Sequence, residues 1–134
     1  MHKEVIGTRG TASEANLHHL AFNYFKPKDL LAIPMIICEG GQGGSDYGDY
    51  MSFNGLMVYN VTIDKGFKYL GGIAHDKGIK DDSQYSCGQW WSSATSTVKR
   101  SVILDDHVVS VADDRIDFAP LSDLKTVEAS VSLQ

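Results

Sequence analysis

The residues able to do chemistry are few and scattered. His18, His19, His75 and His107 are the candidate bases, and two of them have a neighbouring carboxylate, as His75-Asp76 and Asp106-His107. Neighbours along a strand point to opposite faces, so these adjacencies are not read as preorganised base–carboxylate pairs. The sequence contains no Gly-x-Ser-x-Gly elbow and no His-Glu-x-x-His. No catalytic residue is therefore assigned. Cys38 and Cys87 are the two cysteines. Oxidised, they would close a loop of about 50 residues, worth roughly 4 kcal/mol in the chain-entropy model; reduced, they are two unrelated thiols. No Cys-x-x-Cys marks a redox-active pair. Structural zinc takes ligands from close pairs, so the isolated cysteines with His18, His19 or His75 make a poor zinc set.

Two loops hold the remaining candidates. Glu39 to Asp49 is glycine-rich, and Glu39, Asp46 and Asp49 supply the hard oxygens that calcium accepts. The spacing matches neither an EF-hand loop nor a glycine-aspartate nonapeptide, and a solvated connection is the plainer reading. No cofactor is expected, and calcium at this loop is the alternative. No Gly-Lys-Ser/Thr follows these glycines, so the loop is not a phosphate cradle. Trp90-Trp91 interrupts a second polar loop. Large aromatics there either plug a core or form a platform for a sugar or peptide; one ring facing in and one facing out serves both.

Composition narrows the classes. The 134 residues are 43% hydrophobic and 22% charged, enough to build a core. The net charge is -5, and the basic pairs Lys26/Lys28 and Lys99/Arg100 do not form a stripe, which argues against nucleic acid. No apolar run approaches the roughly 20 residues of a membrane helix. Met1 to Gly10 carries charges and no apolar core, so no signal peptide is expected in this chain.

The elements that must position these residues read as short strands. Residues 1–16 form an irregular lead-in, with only a weak helical pattern at Ala12 to Leu20. Strand-like runs follow at His19 to Phe25, Leu30 to Cys38, Phe53 to Thr62 and Phe67 to His75. Leu30 to Cys38 is apolar on both faces, although Pro34 requires an unpaired or bulged position. After the loop the runs resume at Val98 to Leu104, His107 to Ala112, Arg115 to Ala119 and Val127 to Leu133. Two sets of four strands of about 40 ordered residues have the repeat of a propeller blade. The halves also correspond in phrasing: Lys28 to Pro34 with Asp105 to Val111, and Gly55 to Val61 with Arg115 to Leu121. The domain is read as residues 17–134, with a first unit at about 17–76, a loop at 77–97 and a second unit at about 98–134. Periodicity alone allows a compact β-sandwich equally.

Five phrases tilt the choice. His19 to Phe22, Leu30 to Pro34, Phe53 to Val61, Val98 to Ile103 and Val108 to Asp113 resemble, in that order, the C-terminal β-propeller region of secreted bacterial and archaeal proteins distantly related to WD-40 repeats. The resemblance covers most of residues 5–133 and carries no catalytic residues. It implies an all-β fold of about two four-stranded antiparallel blades, a secreted or cell-surface location, and a disulfide between Cys38 and Cys87. Two blades leave two apolar end faces. Self-association, or a partner chain supplying further blades, is therefore expected, with no nucleic acid and no membrane span. The function expected is a non-enzymatic extracellular binding or scaffold module. The alternative is an enzyme whose site assembles between blades of several chains.

Overall fold

The computed structural model describes residues 1–41, 47–75, 87 and 98–133. Alternating side chains and turn residues produce two four-stranded antiparallel meanders, with strand orders β1-β2-β3-β4 and β5-β6-β7-β8. The first sheet contains β1 (Asn23–Phe25), β2 (Leu30–Glu39), β3 (Tyr50–Thr62) and β4 (Gly66–Ala74). The second contains β5 (Val98–Leu104), β6 (His107–Ala112), β7 (Arg115–Pro120) and β8 (Ala129–Ser132). Helix among the described residues is limited to single 3₁₀ turns at Glu14–Asn16, His19–Ala21 and Lys26–Lys28.

One proline sets the length of β1. The run from His19 reads as strand, yet only Asn23–Phe25 pairs, against Leu30–Ala32. Continuing that register would set Ala21 opposite Pro34, which has no N–H to donate. Ile36, two residues further on, exchanges both its backbone bonds with Ala12 on the same side of β2 (3.0 and 2.8 Å), so the missing donor of Pro34 faces the β1 side. Ser13 Oγ donates to the Pro34 carbonyl at 2.6 Å in place of a strand. The ladder stops there, and His19–Ala21 coils into its 3₁₀ turn.

The core lies between the sheets. Leu30, Ala32, Leu56, Val58 and Ile73 meet Val98, Ile103, Val108, Ala119 and Leu124. Each fully buried aliphatic side chain in this layer contributes about 1.5–3 kcal/mol. The strands of the first sheet come very close at Gly55, where a Cβ would lie 2.1 Å from the Ile73 carbonyl oxygen. That backbone cannot move without breaking the β3–β4 ladder. Gly55→Ala is thus expected to cost roughly 2–3 kcal/mol, the upper range for overpacking, read as a lower urea midpoint at unchanged slope. An unchanged midpoint would mean that the two strands can spread.

The two outer faces differ, which corrects the expectation of two bare ends. On the first sheet, Leu31, Met57 and Tyr59 form a buried cluster against which Ile6 of the lead-in packs, beside half-buried residues of the sheet such as Ile33 and Phe53. This segment is tied down by His2 Nε2 to the Ile63 carbonyl (2.7 Å) and by the Thr8 amide to the Cys38 carbonyl (2.7 Å). Residues 1–12 therefore act as a strap. On the second sheet no described segment lies over Val102, Leu104 and Val131, which are exposed, or over Val109, Val111, Ile116 and Phe118, which are half-buried.

Candidate functional site

Among the described residues, three of the polar clusters bear on function. The first is a buried seam between the sheets. His75, just past β4, reaches across to β6 and β7, with Nε2 at 2.7 Å from Ser110 Oγ and 3.4 Å from Asp117 Oδ2. Arg115 Nε donates to Asp117 Oδ2 at 3.1 Å, and Ser130 Oγ donates to Oδ1 at 2.5 Å. Arg115 Nη2 also donates to the Ala74 carbonyl of the first sheet at 3.4 Å. Buried charges are retained where they are paired and hydrogen-bonded in this way.

Ser110, His75 and Asp117 are the residue types of a hydrolase triad, but not its geometry. A relay places nucleophile and carboxylate on opposite ring nitrogens, whereas here both lie against Nε2. All three residues are at most 2% exposed, so no substrate reaches Ser110 Oγ. The arrangement can clasp two sheets; it cannot present a nucleophile. Sequence reasoning singled out His75 but paired it with no partner, and it missed Ser110, Asp117, Arg115 and Ser130. A signal was present: Ser110 and Asp117 are polar residues at inward positions of otherwise apolar strands.

The second region is at the turn before β6. The reading that adjacent His and Asp do not pair is corrected here: His107 Nδ1 lies 2.7 Å from Asp106 Oδ1. Asp106 belongs to the β5–β6 turn, outside the strand alternation, so its side chain is free to fold back. His107 Nε2 is 3.2 Å from Glu128 Oε2, and its ring stacks on Phe118 at 4.5 Å between centroids. The His107 hydrogen bond holds the Asp106 carboxyl below the usual carboxylate range. Asp76, the neighbour of His75, lies outside the described residues.

The third region is the equivalent turn of the first sheet. Asp29 Oδ1 accepts from Lys26 Nζ (3.1 Å) and from the Tyr24 hydroxyl (2.9 Å). The Lys26 bond, then the Tyr24 bond, lowers the Asp29 pKa. Asp29 has φ 49°, in the left-handed region that Asp tolerates better than most residues. Beside it a cavity of about 390 Å³ opens between His2, Tyr24, Val61 and Phe67.

The other sequence candidates fall as follows. Cys38 and Cys87 are joined by a disulfide, with neither residue exposed. Glu39 ends β2, and Asp49 precedes β3 with its Oδ2 accepting from the Gly41 amide at 2.8 Å. Asp46, Trp90 and Trp91 lie outside the described residues. Among the described residues no three His, Cys, Asp or Glu side chains come together as a metal site, and no helix is long and apolar enough to cross a membrane.

Two antiparallel four-stranded meanders packed face to face, with a polar clasp across the seam, define a pair of propeller-type blades. The family model described as "Beta propeller domain" matches residues 1–124, and the chain belongs to that family. Neither the curated proteins nor the solved structures compared with it give a match.

Proposed function

We propose that the chain is a non-enzymatic binding or scaffold module that works by stacking sheets, and that the outer face of its second sheet takes a further four-stranded sheet. One comparison of positions carries this reading. Ala32–Val58 and Pro34–Leu56 in the first sheet correspond in register to Val109–Phe118 and Val111–Ile116 in the second. Leu56 then pairs with Ile73, and Ile116 with Val131. Ile73, covered by the second sheet, is 0% exposed, while Val131 at the equivalent place is 59% exposed. The open face thus repeats the pattern of a face that a sheet covers within this same chain. An extracellular setting is supported by the disulfide, since such bonds persist in oxidising compartments. A non-enzymatic role is supported by the enclosure of Ser110, His75 and Asp117.

Sedimentation velocity tests the open face. The chain is expected to self-associate at about 10 µM, where a Kd in the micromolar range is half-saturated. Val109→Asp, a charge at the centre of that face, should abolish association while leaving the far-ultraviolet circular dichroism intact. A wild-type chain that stays monomeric at ten times that concentration would end this reading.

A further inference from the structure

We propose that the sheet taken by the open face is the first sheet of a second copy of this chain, set head to tail, and that the N-terminal strap competes with that copy for the same surface. The proposal rests on the reading of the open face given above and names its occupant. Its first support is charge. Within one chain the second sheet sits on the first with turn 105–106 beside turn 26–29, and Lys28 Nζ donates to the Asp105 carbonyl. Repeating that step outward places the acidic turn Asp105-Asp106, with Glu128 next to it on His107, against the basic turn Lys26-Pro27-Lys28 of the next copy. Lys26 and Asp106 each have a side chain 81% exposed, and on meeting they exchange or share the bonds they now make, Lys26 to Asp29 and Asp106 to His107. Opposite charges facing across an apolar interface set its register and speed encounter. Two open faces packed against each other would make no use of Lys26 or Lys28, which lie on the other sheet.

The second support is the incomplete cover on the receiving face. Ile6 packs on the cluster of Leu31, Met57 and Tyr59 together with half-buried neighbours of the sheet itself, but Phe67 and Tyr69 of the same sheet remain 39% and 50% exposed. The cavity of about 390 Å³ beside His2 is the part of the face that the strap leaves unfilled. At its end the strap is held by the bond from His2 to the Ile63 carbonyl. A four-stranded apolar face offers more contact area than this segment and displaces it. The strap therefore sets the concentration at which copies join.

The test is sedimentation velocity on the full chain and four variants. Lys26→Glu and Asp106→Lys should each weaken association about tenfold, and a one-to-one mixture of the two should restore it, because the reversed charges attract. Ile6→Asp should lower the midpoint concentration about tenfold, and His2→Ala should lower it about threefold, since each releases the strap without touching the open face. Failure of the mixture to recover overturns the head-to-tail arrangement. Unchanged midpoints in Ile6→Asp and His2→Ala overturn the competition. If Val109→Asp abolishes association but Lys26→Glu does not affect it, the open face still binds a sheet and only the occupant named here is wrong.

Discussion

Asp117→Ala should destabilise the chain by about 3–5 kcal/mol, the cost of removing one partner from a buried ionic group. The side chain lost accepts from Arg115 Nε at 3.1 Å and Ser130 Oγ at 2.5 Å, and lies 3.4 Å from His75 Nε2. Its removal leaves a guanidinium, a hydroxyl and an imidazole facing a void at the seam between the sheets. Asp117→Asn keeps the shape and two acceptor lone pairs, so its loss should be smaller, about 1–3 kcal/mol. Urea midpoints give the comparison. His75→Ala should also destabilise, but by less on top of Asp117→Ala than alone, since groups in one network do not add. Strict additivity of the two substitutions would show that His75 and Asp117 do not act as a clasp, and the seam would then be held by its apolar layer alone.

The second large effect concerns Cys38 and Cys87. The bond spans a sequence separation of 49 residues, and a closed loop of that size is worth about 4 kcal/mol through the entropy of the unfolded chain. Cys38→Ala with Cys87→Ala should lose roughly that amount, and millimolar reductant should shift the wild-type urea midpoint in the same direction. The unfolded, unreduced wild-type chain should titrate no free thiol. Two reactive thiols, or a midpoint indifferent to reductant, would return the cysteines to two independent core residues. The strap should register the change as well. Thr8 and Thr11 both donate to the Cys38 carbonyl, and a Cβ at Gly10 would sit 2.8 Å from Cys87 Cβ. Losing the bond loosens the surface against which the strap is anchored.

The sequence by itself determined the strand content, the turns and the division into two sets of four. These are local quantities: alternation fixes which residues form strands, and Asp64-Lys65-Gly66 or Asp105-Asp106 fix where they reverse. The correspondence of Leu56 to Val61 with Ile116 to Leu121 was equally legible, because two blades that bury the same layer repeat the same side-chain spacing. The tertiary structure decided the rest. His75 and Asp117 are distant in the chain, and no pattern within a strand says which inward polar residue another sheet will answer. The end of β1 depended on Pro34 in the neighbouring strand, so the run from His19 looked like strand until its partner was known. Asp106 and His107 pair because one lies in a turn and the other in a strand, a boundary that alternation blurs by a residue. The lead-in looked irregular because it has no alternation of its own. Its order comes from the packing of Ile6 on the first sheet and from the bonds of His2 and Thr8 to the Ile63 and Cys38 carbonyls, and a segment that takes its conformation from the surface beneath it leaves no periodic signal in the sequence.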